Sequence, residues 1–248
     1  MARHLFILTG ASRGMGAAIA RQLLAPDHRL LCLSRRRSAA LDAAGAACEQ
    51  WTIDLVQPVE AAARLDAWIS AQDSRAFASA TLINNAAALT RIGAIEDCSD
   101  AELSASLRVG IEAPLLLTAA FLRATRNWSA TRRVLNISSG LGRRAMAGQA
   151  PYCAAKAGMD HLTRALALDE AQRPNGAKLV SLAPGVIDTD MQAHLRAGDP
   201  VAFPELANFV SLKEKGQLTS PEDAAARVLA YLNRADFGSN PVADVRDV

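Results

Sequence analysis

Tyr152 and Lys156 stand four residues apart in the stretch "APYCAAKAG". The pair is unusual in this chain, which has 2 tyrosines and writes nearly all of its 27 basic positions as Arg. Lys156 is the first lysine, and only Lys178, Lys213 and Lys215 follow. On a helix the spacing puts both side chains on one face. Ser139 lies 13 residues before Tyr152, at the end of the apolar run "VLNISS". A phenol, an ammonium and a hydroxyl so placed suit proton transfer to a carbonyl oxygen. Free Tyr titrates near ~10, too high for efficient acid–base work at neutral pH. A neighbouring ammonium favours phenolate, so Lys156 is expected to lower the Tyr152 pKa. Ser139 would hydrogen-bond the substrate oxygen and fix its position. A compact ammonium fits such a site better than a wide guanidinium fork, which accounts for Lys at this place in an Arg-rich chain.

Reduction of a carbonyl also needs a hydride source, and a second group of residues offers a place for one. Gly10-Ala11-Ser12-Arg13-Gly14-Met15-Gly16 spaces its glycines as G-x-x-x-G-x-G between an apolar run and a helical pattern. Glycines there permit a tight turn and close backbone approach to a pyrophosphate, at a helix N-terminus that offers free N–H groups. After the second strand, an NAD-preferring site carries an acidic residue for the ribose 2′-OH. This chain has Ser34, Arg35, Arg36 and Arg37 instead. Guanidinium groups bind phosphate oxygens as forks, so Arg13 together with Arg35 and Arg36 predicts NADP(H). Arg36 and Arg37 read equally well as solvent-facing. Asp54 would bind the adenine edge or cap the next helix. Asn84 and Asn85, in "NNAA", would join sheet to nucleotide or form an ordinary turn.

The elements that must position these groups alternate along the chain. "HLFILTG", "RLLCLS", "QWTIDL", "ATLINNAA", "RRVLNISS" and "AKLVSLAPG" read as buried strands, and "PVADVRDV" as a weaker last one. Between them, "GAAIARQLLA", "AALDAAGAA", "VEAAARLDAWISAQ", residues 100–126, residues 151–173 and "PEDAAARVLAYLNR" read as helices. Thr219 or Ser220 would cap the last helix, with Pro221 at its first position. Residues 188–219 read as irregular or partly helical. Continuous apolar strands separated by amphipathic helices predict an α/β fold, a doubly wound parallel sheet with helices on both faces. No linker, repeat or low-complexity segment interrupts the pattern, so residues 1–248 read as one domain. Ligands in such folds sit beyond the carboxyl ends of the strands, where these residues fall.

"TGASRGMG", "NNAA", a Ser 13 residues before "YCAAK", and "APG" followed by Thr189 together resemble the short-chain dehydrogenase/reductase family over nearly the whole chain. The resemblance implies a Rossmann-type sheet of about seven strands. It implies Tyr152 as general acid/base, Lys156 as its tuner and nicotinamide-ribose ligand, and Ser139 as carbonyl holder. It places Pro184 and Gly185 against the nicotinamide and Thr189 on the cofactor amide or phosphate. It extends the cofactor contacts to Ser12, Met15, Leu55, Ala86, Ala87, Val186, Ile187 and Met191. The family usually has an Asn in the helix after the fourth strand, its carbonyl holding a water that leads toward the Lys. "LRVGIEAPLLLTAAF" has Gly110 there, which implies a proton relay that is weakened or differently braced. "APGVIDTDMQ", "FVSLKEKGQLTSPEDAA" and the tail resemble the branch of sepiapterin and benzil reductases, which reduce ketones and diketones with NADPH. An acidic residue near the C-terminus anchors the pterin in sepiapterin reductases. Asp244 is the match, and a surface aspartate on a last strand reads equally. A 3-oxoacyl-thioester reductase shares the same site, and a non-catalytic NADP(H)-binding regulator shares the same fold. The helix from residue 100 and the helix of Tyr152 are the family's usual dimer faces, implying a homodimer or homotetramer.

Bulk properties narrow the field further. Half the residues are hydrophobic, 21% are charged, and the net charge is +2. That balance is neither disordered nor strongly basic, and no Lys/Arg cluster interleaved with aromatics predicts a nucleic-acid partner. Cys32, Cys48, Cys98 and Cys153, with His4, His28, His161 and His194, have no metal-ligand spacing and read as free thiols and scattered imidazoles. The apolar run near the start is too short for a leader or a membrane span, so the expectation is a cytoplasmic enzyme.

Overall fold

Seven parallel strands form one sheet: β1 (Arg3–Thr9), β2 (His28–Ser34), β3 (Cys48–Thr52), β4 (Phe77–Asn84), β5 (Thr131–Ile137), β6 (Lys178–Ala183) and β7 (Val242–Asp244). The computed structural model describes residues 3–43 and 45–247. Strand order is β3-β2-β1-β4-β5-β6-β7, so the winding reverses between β1 and β4. The helices are α1 (Gly14–Gln22), α2 (Ala39–Asp42), α3 (Pro58–Ser70), α4 (Asp100–Leu107), α5 (Ala113–Ala124), α6 (Ala150–Ala171), α7 (Asp190–Arg196), α8 (Leu206–Glu214) and α9 (Pro221–Leu232).

The near-continuous apolar strands follow from burial on both faces. Alternate residues of β1 serve opposite cores. Leu5 and Ile7 pack with Leu65 and Ile69 of α3 and with Leu117 and Phe121 of α5. Phe6 and Leu8 pack with Ile19 of α1 and with Val228 and Leu232 of α9. Each such side chain contributes about 1.5–3 kcal/mol by leaving water. Local signals fix the helix starts. Ser220 accepts from the Asp223 N–H at 3.0 Å, with Pro221 at the first position of α9. Ser99 and Glu102 form a reciprocal capping box at α4.

Three segments differ from the sequence expectation, and residues 188–219 are partly helical as expected. Residues 100–124 are helical throughout, but α4 and α5 are joined by a π-turn at Arg108–Glu112. The run at 39–47 is split into α2 and a 3₁₀ turn at Gly45–Ala47, and Ala44 between them lies outside the described residues. Residues 188–219 hold two helices, α7 and α8. Leu195, Phe203, Ile92 and Met146 form a small core beneath them. The tail pairs with β6 only over Val242–Asp244, because Asp244 then turns the chain by accepting from the Arg246 N–H at 3.0 Å.

Candidate active site

The reversal between β1 and β4 is stitched side chain to backbone. The Thr9 hydroxyl accepts from the N–H groups of Asn85 (2.9 Å) and Ala86 (3.0 Å). The Asn85 amide donates back to the carbonyls of Thr9 (3.0 Å) and Gly10 (3.2 Å). Asn84 turns the other way, into a buried polar layer. It donates to Asn136 at 2.8 Å and to Thr118 at 3.2 Å, and Asn136 donates to Thr163 at 2.9 Å. The glycine turn folds tightly onto this joint: a Cβ on Gly16 would lie 2.1 Å from the Gly10 carbonyl oxygen. α1 therefore opens directly behind the turn. Its N-cap, Arg13, makes no side-chain cap bond, and its first turn carries no acidic residue. Uncapped N–H groups at a positive dipole end suit a phosphate.

A cleft of about 970 Å³ runs from this turn across the carboxyl edge of the sheet. Of the residues expected from sequence, Gly10, Ser12 to Gly16, Arg35, Asp54, Leu55, Asn85 to Ala87, Ser139, Tyr152, Lys156, Pro184 to Ile187, Thr189 and Met191 all line it. Arg36 does not: it is exposed, and its carbonyl accepts from the Ser34 hydroxyl at 2.9 Å. Arg37 also turns away, to Asp42 at 2.6 Å. Asp54 accepts from the Val56 N–H at 3.1 Å, shaping the turn before α3 while still facing the cleft. Arg13 reaches across the cleft to Asp190 at 2.9 Å, a partner not foreseen from sequence.

At the inner end, three consecutive residues of the β5 terminus meet three residues spaced by four on α6. The Ile137 carbonyl accepts from Lys156 Nζ at 2.6 Å. The Ser138 hydroxyl donates to Asp160 at 2.6 Å. The Ser139 hydroxyl accepts from the Leu141 N–H at 3.2 Å and lies near enough to the Tyr152 phenol to favour its ionised form. Lys156 Nζ lies 5.6 Å from the centroid of the Tyr152 ring. The phenol is not lowered as the sequence reading expects. Burial pushes it up to about 12, and the Ser139 hydrogen bond offsets only part of that. Lys156 is aimed at the Ile137 carbonyl, and its own burial pushes it down to about 8, with Asp160 pulling the other way. Desolvation disfavours the charged form of each group, and here it is the larger effect for both.

Gly110 sits in the π-turn against α6, where a Cβ would lie 2.7 Å from the Ala155 Cβ. Any side chain there would push the π-turn off α6, so the contact beside Lys156 is made by close approach of Gly110 to Ala155. Asp244 is buried and gripped by Arg246 at 2.7 and 2.6 Å, which holds its carboxyl below the usual range. It faces the cleft, but with its charge already matched.

The outer end of the cleft is lined by Leu141, Met146, Leu195, His194, Gln192 and Phe209, none of which the sequence reading singled out. Leu195, Leu206 and Phe209 do carry a spaced apolar pattern within 188–219, the signal that two short helices cover the site.

A doubly wound sheet with a glycine turn after β1 and a Ser–Tyr–Lys cluster at its carboxyl edge defines a nucleotide-dependent oxidoreductase architecture. Residues 4–200 match the short chain dehydrogenase family model. The chain belongs to the short-chain dehydrogenase/reductase family, oxidoreductases that bind nicotinamide cofactors. It is 33% identical over 240 residues to a benzil reductase ((S)-benzoin forming) of Bacillus cereus, covering 95% of this chain and 96% of that protein. It is 30% identical over 260 residues to the sepiapterin reductase of Xenopus tropicalis, covering 98% and 96%. The solved KRED1-Pglu enzyme superposes with a TM-score of 0.79 at 25% identity, covering 97% of this chain and 99% of that one. Solved chains of the same fold carry NAD in one case and NADP in another.

Proposed function

We propose that this protein is an NADPH-dependent carbonyl reductase acting on a small hydrophobic or aromatic ketone or diketone. The observation that carries the reading is the convergence of Ser139, Tyr152 and Lys156 at the end of the cleft that begins at the glycine turn. The cleft suits a dinucleotide: uncapped helix N–H groups at Gly14 to Gly16, Asn85 at the strand joint, and Lys156 beside the phenol. Bound there, the reduced nicotinamide would supply hydride to the carbonyl carbon. Ser139 holds the carbonyl oxygen. Tyr152, buried and raised to about 12, carries its proton at neutral pH and donates it to the far more basic alkoxide. A phenol kept protonated in this way favours the reductive direction. Lys156 places a cation beside the phenol and offsets the phenolate charge left when the proton is donated.

The preference for NADPH rests on Arg13 and Arg35, which both line the cleft, Arg13 paired with Asp190 and Arg35 exposed. Arg35 pairs with no acidic residue among the described residues. The substrate class rests on Leu141, Met146, Leu195 and Phe209, and on the two reductases to which the chain is similar. Leu107 and Leu115 on α4 and α5, and Leu168 on α6, are exposed and support a homo-oligomer. The test is Tyr152→Phe. It should reduce NADPH oxidation with benzil-like diketones by about 10²–10⁴-fold while NADPH still quenches or shifts its own fluorescence on binding. Near-normal turnover in that variant would sink the assignment.

A further inference from the structure

The α6 stripe that presents Tyr152 and Lys156 has a third polar member, Asp160, four residues further on. It is 2% exposed, as is Lys156. A carboxylate so buried is costly unless it is paired and hydrogen-bonded, and this one is fully engaged. Its Oδ1 accepts from the hydroxyls of Ser138 on β5 and Ser181 on β6, both at 2.6 Å. Its Oδ2 accepts from Arg143 Nε at 3.3 Å. Arg143 belongs to the loop that follows Ser139 and also donates to the Ala243 carbonyl of β7 at 2.8 Å. The backbone is fitted to the carboxylate: a Cβ on Gly142 would lie 2.9 Å from Oδ2. Asp160 thus joins the β5 end and β6 directly, and β7 and the loop between Ser139 and α6 through Arg143.

The geometry points to Asp160 as a positioning residue of this site: it fixes the strand end that presents Ser139 and supplies the buried countercharge to Lys156. The inference rests on the Ser139–Tyr152–Lys156 reading above. Ser138 cannot move without breaking its bond to Asp160, and Ser139 is the next residue. The charges facing Asp160 are Lys156 on its own helix and Arg143 from the loop; Arg143 in turn faces Asp244, which Arg246 already neutralises. Asp160 therefore pairs directly with one cation, Arg143, and lies one helical turn along α6 from the other, Lys156, which belongs to the reacting set.

That arrangement predicts opposite effects from two substitutions. Asp160→Asn keeps an Oδ1 for both serines but removes the charge, so Lys156 loses its proton more easily. Arg143→Gln frees the carboxylate to act on Lys156 alone, so Lys156 holds its proton longer. The chain has only four lysines, so protein labelled with [13Cε]lysine gives a countable set of signals, and Lys156 is assigned by its loss in Lys156→Met. In the wild type Lys156 should titrate at about 8. In Asp160→Asn it should move down by about one pH unit, and in Arg143→Gln it should move up. The alkaline limb of the kcat/KM profile should move in the same two directions. A Lys156 titration that is unmoved in both variants, or that moves the same way in both, overturns the countercharge role. If Asp160→Asn does not fold, the Arg143→Gln titration alone decides the point. If Lys156 titrates as expected while the rate profile stays fixed, the assignment of Lys156 to the reaction is what fails, and the positioning role falls with it.

Discussion

Gly110→Ala adds one methyl group at the closest approach of the π-turn to α6. Its Cβ would lie 2.7 Å from the Ala155 Cβ, and Ala155 precedes Lys156. Carbon atoms pack at about 3.5–4.0 Å, so the two helices must separate by about 1 Å. Ala155 has no rotamer with which to yield, and it is 2% exposed. Overpacking of this kind costs about 1–3 kcal/mol, and replacing a helical Gly by Ala returns about 1 kcal/mol of that. The expected net loss is about 0–2 kcal/mol, read from urea denaturation at fixed m-value. The displacement is passed to Lys156 and Tyr152, so kcat/KM should fall by about 10- to 100-fold. Ala155→Gly in the same chain removes the opposing methyl and should restore both stability and rate. The double-mutant cycle should give a coupling of about 1–3 kcal/mol between the two positions. If Gly110→Ala is as stable and active as the wild type, or if Ala155→Gly fails to rescue it, the two helices are not in the contact described, and the account of how this site is braced without a side chain at position 110 is wrong.

Lys156→Met should change how stability depends on pH. The folded value of about 8 lies below the ordinary 10.5, so the unfolded chain binds the extra proton. The Lys156 contribution is fully present above the ordinary value and is lost as pH falls toward about 8. Wild type should therefore gain about 2 kcal/mol relative to Lys156→Met between pH 8 and 9.5, measured by urea denaturation at each pH. Tyr152, raised to about 12, works in the opposite direction only above its ordinary 10 and leaves that window clear. Arg35→Ala should raise the KM for NADPH about tenfold, the loss of one exposed charge-assisted contact, while leaving the KM for NADH unchanged. Equal effects on the two cofactors would remove Arg35 from the recognition of the 2′-phosphate.

The sheet, its winding and the cleft residues were readable because each leaves a local mark. Apolar runs that alternate between two cores, a glycine turn at a strand end, and Tyr and Lys spaced by one helical turn are all patterns within a few residues. What escaped was set by packing between distant segments. The ion pair of Arg13 with Asp190 joins residues 177 positions apart. The bond of Arg143 to the Ala243 carbonyl spans 100 positions, and nothing near either residue announces it. The π-turn at Arg108–Glu112 contains one helix-weakening residue, Gly110. Gly110 marks it only once the α6 backbone is known to lie against it.

The same distinction explains why the Tyr152 phenol is raised where the spacing predicts a lowering. Spacing by four shows that two side chains share a face, and from that an ammonium should stabilise a phenolate. It does not show how deeply that face is buried or where the ammonium points. Both groups are buried, and Lys156 is held by the Ile137 carbonyl, so desolvation is the largest effect on each. A neutral phenol above a lysine that titrates near about 8 is a different starting point from a phenolate held by a fixed cation. It makes the protonation of Lys156, rather than that of Tyr152, the quantity most sensitive to its surroundings near neutral pH. Asp160 and Arg143 are the charged groups placed to set it.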